Sequence, residues 1–209
     1  MQGLPEITAI ILAGGQSKRM GRDKAFLTLG NKTFLRIIGE KLAGYCSQII
    51  VSGNREKELY LSQLEDLNPE ILFVKDLHPY AGPLNGIATC SQHVKHSYVF
   101  VATCDTPLLE EKLVPFFVKR LNGYEAIIPE VSEKLQFLNT LYTKEALKKS
   151  RKMYNNGIRS LRRWVEALNF LKLSENEIKA VDSGLYSYWS INTPEDYARL
   201  KALWGEKHG

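Results

Sequence analysis

The densest group of residues that could do chemistry lies in one short segment near the start of the chain. The glycine pair Gly14-Gly15 is closely followed by four cationic side chains: Lys18, Arg19, Arg22 and Lys24. Glycines let a backbone approach a ligand with its N–H groups accessible, and cations beside such donors stabilise phosphate oxygens. This segment, residues 12–24, is called the glycine loop below. It favours binding of a triphosphate over the alternative, a glycine turn with solvated charges.

The spacing of the glycine loop differs from two widespread phosphate-binding motifs. The Walker A motif needs a glycine, four residues and then Gly-Lys-Ser/Thr, and the dinucleotide motif needs Gly-x-Gly-x-x-Gly. Neither pattern occurs in the loop. The sequence therefore predicts neither a kinase-type phosphate loop nor a dinucleotide fold.

Acidic and amide side chains that could complete such a site follow apolar runs elsewhere. Asp105 closely follows the apolar run from Tyr98 to Ala102. A carboxylate placed there could hold nucleotide-bound Mg²⁺, or Asp105-Thr106-Pro107 could cap a helix with proline in its first turn. Asp76 and Asn54 are further ligand candidates, with a turn residue and a helix cap as their respective alternatives.

The elements that must position these residues alternate between strands and helices as far as residue 121. Short apolar runs predict strands over 7–12, 48–52, 71–74 and 98–102, and helical spacing predicts helices over 33–42, 54–64, 86–94 and 110–121. Alternation of this kind predicts an α/β fold, a three-layer sandwich with a mostly parallel central sheet and helices on both faces. Ligands bind such sheets at the carboxyl ends of the strands, where the candidate residues fall.

The pattern changes after residue 123. Strands are predicted over 126–128, 135–142 and 189–191, and helices over 144–164 and 194–204. We expect a single domain over residues 1–209, with a nucleotide-binding half over about 1–122 and an acceptor-binding half over about 123–209.

Bulk properties are those of an ordinary globular protein. Hydrophobic residues make up 44% and charged residues 24% of 209 residues, and the apolar run from Ile7 to Leu12 is too short to cross a membrane. No signal-peptide pattern is found, so we expect a cytoplasmic protein without a membrane partner. Cys46, Cys90 and Cys104 match no zinc spacing and no histidine pairing is evident, which favours buried free thiols over thiol catalysis.

Positive charge is concentrated in one part of the second half. Residues 144–163 carry eight basic residues and one acid, although the whole chain has a net charge of only +5. This segment is either a solvated helix face or a surface for an anionic acceptor or an acidic partner. Nucleic acid is not expected as a partner, because neither a pattern of alternating aromatic and basic residues nor a known binding module accompanies the charge.

Five ordered motifs resemble one known family. The glycine loop, with Leu12-Ala13-Gly14-Gly15, Arg19-Met20-Gly21 and Asp23-Lys24, resembles the signature loop of the molybdenum cofactor guanylyltransferase family, whose core is Rossmann-like. Four later motifs agree with the family in order: Asn54-Arg55, Asp76 with Gly82-Pro83-Leu84-Asn85-Gly86, Cys104-Asp105-Thr106-Pro107, and Asn192-Thr193-Pro194-Glu195. The resemblance spans residues 7 to 200.

The resemblance implies a role for each matching residue. The backbone of Leu12, Ala13 and Gly14 would hold the guanine and ribose of GTP, and Gly15, Arg19 and Lys24 would meet its phosphates. Asn54, Asp76 and Gly82 would contact the nucleotide further along the pocket. Asp105 would hold Mg²⁺, the implied cofactor, and Asn192 would lie near metal and acceptor. The implied catalytic residues are Arg19, Lys24 and Asp105.

On the acceptor side the chain departs from the family pattern. Gln136-Phe137-Leu138 keeps a glutamine but lacks the usual proline, and Ser190 stands where the family tends to have asparagine. Gly157-Ile158-Arg159 resembles the family's Gly-x-Arg segment. The acceptor residues implied are therefore Gln136, Arg159 and Asn192.

The family's reaction is transfer of GMP from GTP to the terminal phosphate of molybdopterin, with release of pyrophosphate. The resemblance also implies transient contact with cofactor-biosynthesis proteins or molybdoenzymes. Two alternatives stay open from the sequence: a related nucleotidyltransferase that uses CTP or another phosphate acceptor, and a GTP-binding module without turnover.

Overall fold

The computed structural model describes residues 5–15, 20–21 and 23–208. Its main sheet has the strand order β10-β7-β9-β6-β1-β4-β5, with β8 paired to β7, and β2 and β3 form a separate hairpin. The strands are β1 Ile7–Leu12, β2 Thr28–Leu29, β3 Lys32–Thr33, β4 Gln48–Gly53, β5 Glu70–Lys75, β6 Tyr98–Thr103, β7 Ala126–Val131, β8 Lys134–Leu135, β9 Thr140–Thr143 and β10 Phe170–Leu173.

The sheet is mixed but mostly parallel. Strand β1 lies between β4 and β6 and is parallel to both, and β5 extends this parallel half beyond β4. Strand β9 is antiparallel to β6 and to β7, while β10 is parallel to β7. The carboxyl ends of β1, β4, β5 and β6 therefore share one edge of the sheet.

Helices cover both faces of the sheet. They are α1 Phe34–Ala43, α2 Lys57–Leu61, α3 Pro83–Cys90, α4 Leu113–Val118, α5 Lys144–Asn155, α6 Leu161–Glu166, α7 Glu175–Lys179 and α8 Pro194–His208. Buried residues of α1, α2, α4 and α7 form one apolar core, and those of α3, α5 and α6 form another.

The two cores meet at the sheet itself. Along β1, Ile11 belongs to the first core and Ile10 to the second, as expected when successive side chains point to opposite faces. All six residues of β1 are buried, which explains its continuous apolar run. The predicted α/β three-layer sandwich is confirmed.

Several predicted boundaries in the first half were too generous. The helix predicted over 54–64 is only Lys57–Leu61, and that predicted over 110–121 is only Leu113–Val118. Strand β10, helix α7 and the β2-β3 hairpin, each of which is short, were not predicted from the sequence. Weak periodicity over few residues explains these misses.

Three predictions in the second half were wrong for identifiable reasons. The strand predicted over 135–142 is interrupted, because Asn139 adopts a left-handed backbone with φ +56°. The helix predicted over 144–164 divides into α5 and α6 around Gly157, where φ is +87°. Residues 189–191 form no strand, because the Ile191 N–H donates to the carbonyl of Asp105 instead of a neighbouring strand.

The three cysteines are buried and free. Burial raises the pKa of the Cys46 thiol to about 12 and holds the pKa of Cys104 well above its ordinary value. A thiol with a raised pKa is a poor nucleophile, so packing is the role these residues perform. No helix within the described ranges is long and apolar enough to span a membrane.

Candidate active site

Three side chains from distant parts of the sequence meet at the carboxyl edge of the sheet. The Lys24 ammonium lies 3.1 Å from Asp105 Oδ2 and 2.7 Å from Asn192 Oδ1. The side chains of Lys24 and Asp105 are only 14% and 20% exposed. These three residues are candidates for catalysis, and we call them the catalytic cluster. It gathers one cation and two hard oxygen donors in a partly desolvated position.

Lys24 is held by the turn that it begins. It opens a 3₁₀ turn, Lys24–Phe26, which Asp23 caps by accepting a 3.1 Å hydrogen bond from the Ala25 N–H. The other carboxylate oxygen of Asp23 lies 3.1 Å from Arg55 Nε. Burial raises the pKa of Asp23, while the Ala25 N–H and the Arg55 guanidinium partly counter that effect. Arg55 thus supports a buried carboxylate that directly precedes Lys24 in the chain.

Asp105 is fixed by the strand end and by the C-terminal segment. Thr103 donates a 2.9 Å hydrogen bond to Asp105 Oδ1, and the backbone carbonyl of Asp105 accepts from Ile191 at 2.8 Å. The following helix, α4, begins only at Leu113 with Lys112 as its cap. The alternative in which Asp105 caps a helix is therefore wrong.

One residue that the sequence analysis missed holds this corner together. Asn139 is 2% exposed; its Oδ1 accepts from the Thr103 N–H, and its Nδ2 donates to Thr106 Oγ1 and to the Ser187 carbonyl. Its left-handed backbone aims the side chain at these groups, and asparagine tolerates that conformation better than most residues. The available signal was a lone asparagine inside the mostly apolar segment 135–142.

A second group of polar side chains lies beside the glycine loop. Asn54 Nδ2 donates to the Gly14 carbonyl at 2.7 Å and to Asp76 Oδ2 at 3.0 Å, and Ser52 donates to Asp76 Oδ1. Burial raises the pKa of Asp76, and the hydrogen bonds from Ser52 and Asn54 oppose that shift. Glu56, and not Asn54, occupies the N-cap position of helix α2, so the helix-cap alternative for Asn54 is wrong.

A cleft of about 420 Å³ opens in front of these groups. Residues of the glycine loop, of the ends of β4 and β6, and of the start of α3 line it: Leu12, Gly14, Gly15, Ser52, Asp76, Tyr80, Gly82, Pro83, Gly86, Thr103 and Leu138. A Cβ atom on Gly14 would collide with Asp76 and lie 2.6 Å from Asn54 Nδ2. Only glycine permits this close approach of loop and strand ends.

Helix α3 begins at the cleft. Gly82, with φ +89°, turns the chain into it, and Pro83 is its first residue, a position that suits proline because no partner for its nitrogen is needed. The N-terminus of a helix favours negative charge. The segment from Gly82 to Gly86 therefore opens a helix toward the pocket.

The predicted acceptor residues do not all converge. Gln136 donates to the Lys134 carbonyl within the β7-β8 hairpin, and the Arg159 guanidinium stacks on the Tyr154 ring at 4.0 Å. Over the described ranges, neither side chain contacts the catalytic cluster, which Asn192 does join. Arg19, Lys18 and Arg22 of the glycine loop lie outside the described residues.

A model of the MobA-like NTP transferase domain matches residues 9–172. The chain belongs to the MobA-like NTP transferase family. The match begins within β1 and ends within β10, so Lys24, Asp105 and the cleft lie inside it, while Asn192 lies beyond it.

Relatives and a solved structure extend the likeness of this MobA-like chain to nearly its full length. A probable molybdenum cofactor guanylyltransferase of Clostridium perfringens strain 13 is 32% identical over 203 residues, covering 92% of this chain and 95% of that protein. A molybdenum cofactor guanylyltransferase of Desulfosudis oleivorans is 27% identical over 198 residues, covering 94% of this chain and 95% of that protein. The solved structure of molybdopterin-guanine dinucleotide biosynthesis protein A from Archaeoglobus fulgidus shares the fold, with a TM-score of 0.79 at 23% identity, covering 95% of this chain and 99% of that one.

Proposed function

We propose that this protein transfers GMP from GTP to the terminal phosphate of molybdopterin, forming the guanine dinucleotide cofactor and releasing pyrophosphate. The observation that carries the proposal is the convergence of Lys24, Asp105 and Asn192 beside a cleft bounded by the glycine loop. The names of the two guanylyltransferase relatives support the same reaction.

The acceptor groups at the cleft suit guanine. Asp76 presents a carboxylate to the cleft. Guanine carries two donors, its N1–H and its amino group, side by side on one edge, and a carboxylate can accept hydrogen bonds from both. Asn54 Oδ1 is buried and has no hydrogen-bond partner among the described residues, so a ligand donor would satisfy it. Cytosine has only its amino group as a donor on that edge and would therefore pair with fewer of these acceptors, which favours GTP over CTP.

The reaction needs alignment and charge stabilisation more than acid–base chemistry. An oxygen of the acceptor phosphate, already anionic, attacks the α-phosphorus of GTP; an O–P bond forms there and the bond to the β-phosphate oxygen breaks. Pyrophosphate leaves with the electron pair. Lys24 stabilises charge on the phosphates, and Asn192 orients the acceptor beside Asp105.

Asp105 and Asn192 are the residues we propose to hold Mg²⁺. Carboxylate and amide oxygens are hard donors of the kind that Mg²⁺ prefers, with phosphate oxygens completing its coordination. These two oxygens already share a cation, the Lys24 ammonium, so the donor set fits a positive ion. When bound, Mg²⁺ would supply neutralisation of phosphate charge.

A substrate panel tests the proposal. Purified protein is incubated with Mg²⁺, molybdopterin and GTP, CTP or ATP in turn, and pyrophosphate and the dinucleotide product are quantified. We expect product only with GTP and molybdopterin. Faster turnover with CTP or with another phosphate acceptor would instead identify a related nucleotidyltransferase, and GTP binding without pyrophosphate release would identify a binding module.

A further inference from the structure

A second concave surface lies away from the catalytic cluster, between α5 and the end of α3. It encloses about 610 Å³, and its lining includes Lys144, Lys148, Arg151 and Lys152 of α5 together with Gln92, just after α3. We call this surface the basic cleft. Its remaining lining residues are serine and asparagine, which can both donate and accept hydrogen bonds.

The charge of the basic cleft is largely uncompensated. Lys144 donates to the Lys95 carbonyl and Arg151 donates to the Gln92 side chain, both of which are neutral acceptors. In the part of the chain that the structure describes, Lys144, Arg151 and Lys152 form no ion pair, and Lys148 pairs only with exposed Glu145. By contrast, Lys149 points to the other side of α5 and pairs with Glu125 at 2.6 Å. The uncompensated cations are therefore gathered on one face of the helix.

The basic cleft runs along the flank of the molecule toward the nucleotide cleft. Helix α3 begins at the nucleotide cleft with Pro83 and ends near Gln92, so it leads away from that site. Helix α5 runs the opposite way. It begins at Lys144, whose N–H donates to the Ser97 carbonyl, and its last turn holds Tyr154, whose hydroxyl lies 3.1 Å from His78 Nδ1. His78 lies between Asp76 and Gly82, both of which line the nucleotide cleft. A ligand along α5 would thus end beside the active site without occupying it.

We propose that the basic cleft docks an acidic segment of a partner protein. Lys152 lies eight positions after Lys144, which is roughly 12 Å along a helix and about the length of four extended residues. A lone phosphate would reach only part of that span, whereas carboxylates spaced along a peptide match it. The described lining holds no aromatic side chain on which a nucleic-acid base could stack. Spread lysines and neutral hydrogen-bonding groups instead suit a peptide with several carboxylates.

The test uses a fluorescein-labelled peptide of eight glutamates and the full-length protein. Binding is followed by fluorescence anisotropy in the unchanged protein, in the double variant Lys148→Glu/Lys152→Glu, and in the matched control Lys112→Glu/Lys119→Glu. All four side chains are exposed, and the control residues adjoin α4 on the opposite face of the sheet. We expect saturable binding that weakens with salt, at least tenfold weaker in the basic-cleft variant and within twofold of normal in the control.

Several outcomes would overturn the proposal. Equal weakening in both variants would show attraction to net charge alone, and absence of saturable binding would remove the site. Twelve-nucleotide oligo-dT and tripolyphosphate are the competing ligands. If either displaces the peptide, and its own binding is weakened more than peptide binding by the changes at Lys148 and Lys152, a phosphate polymer is the occupant.

Pyrophosphate release without peptide should be normal in the basic-cleft variant. A raised KM for molybdopterin in that variant would show that the basic cleft binds the acceptor and would overturn the proposal. If the unchanged protein and both variants all failed to release pyrophosphate, that result would contradict the proposed function and not the docking of an acidic segment.

Discussion

Asp105 is the side chain on which the proposed chemistry depends most, because it contacts the Lys24 ammonium and stands at the end of a buried strand. Replacement by asparagine keeps the shape and removes the charge. We expect Asp105→Asn to lower the maximal rate of pyrophosphate release by on the order of 10²-fold, with a smaller effect on the KM for GTP. The measurement is steady-state release over a Mg²⁺ titration.

The control for that variant is Asp66→Asn. It removes the charge of an exposed carboxylate that pairs with Arg36 and belongs to neither the catalytic cluster nor the nucleotide cleft. It should leave the rate unchanged. Near-normal turnover of Asp105→Asn at saturating Mg²⁺ would remove Asp105 from the metal-binding role.

Arg55 supports the buried carboxylate of Asp23, so the destabilisation caused by removing Arg55 should depend on pH. Because burial raises the pKa of Asp23, the protonated form is favoured in the folded state, and the cost of ionising it appears as the pH rises through that pKa. Arg55 offsets part of this cost. We expect Arg55→Ala to lower the free energy of unfolding at pH 7 by about 1 kcal/mol, since Arg55 is half exposed, and by less near pH 4.

Denaturant titrations at the two pH values measure the effect, with Arg55→Lys as a charge-preserving comparison. In an Asp23→Asn background the cost of Arg55→Ala should largely disappear. A cost that is the same at both pH values would contradict the assigned link to Asp23.

At the level of elements, Asn139 immediately precedes β9 and connects it to neighbouring segments through three side-chain hydrogen bonds. Their partners are Thr103 at the end of β6, Thr106 just beyond it, and Ser187. Removing them from a buried site leaves polar partners unsatisfied. We expect Asn139→Ala to lower the free energy of unfolding by about 2 to 4 kcal/mol and to reduce turnover by displacing Asp105. Thermal unfolding and pyrophosphate release measure the two effects.

The comparison Asn139→Gly separates the side chain from the backbone. Glycine accepts the left-handed conformation without strain, so it should be less destabilising than alanine by roughly 1 kcal/mol, although it adds some entropy to the unfolded chain. If alanine and glycine cost the same, the φ of +56° is not under strain and the hydrogen bonds carry the whole effect.

The elements differ in how well the sequence predicts them. Strands β1, β4 and β6 could be predicted because full or near-full burial demands apolar runs, whereas β5, which is mostly only partly buried, was predicted from its short apolar run alone. The alternation of strands with helices then places Lys24, Asn54, Asp76 and Asp105 at one edge. The interruption at Asn139 could not be predicted, because it depends on long-range partners such as Ser187. Arg159 was expected near the acceptor, but local stacking on Tyr154 is not visible in a residue pattern.

At the scale of the whole molecule, the two halves of the chain meet at the catalytic cluster. Lys24 and Asp105 come from the first half, and Asn192 from the second, where the Ile191 N–H bonds to the Asp105 carbonyl. The proposed nucleotide cleft is nonetheless lined almost entirely by residues before 104, with Leu138 as the exception. Donor binding should therefore be separable from acceptor use.

This separation predicts how ligands stabilise the protein. A ligand that binds only the folded state at 100 times its Kd adds about 2.7 kcal/mol, which for a domain of this size raises Tm by roughly 5 to 10 °C. We expect GTP with Mg²⁺ to produce such a shift without molybdopterin, CTP to produce much less, and Asp76→Asn to abolish the preference for GTP. Arg159→Gln should keep the GTP shift. Loss of that shift in Arg159→Gln, with the unliganded Tm unchanged, would show that the two sites are not separable, because the region around Tyr154 and His78 would then be part of the donor site.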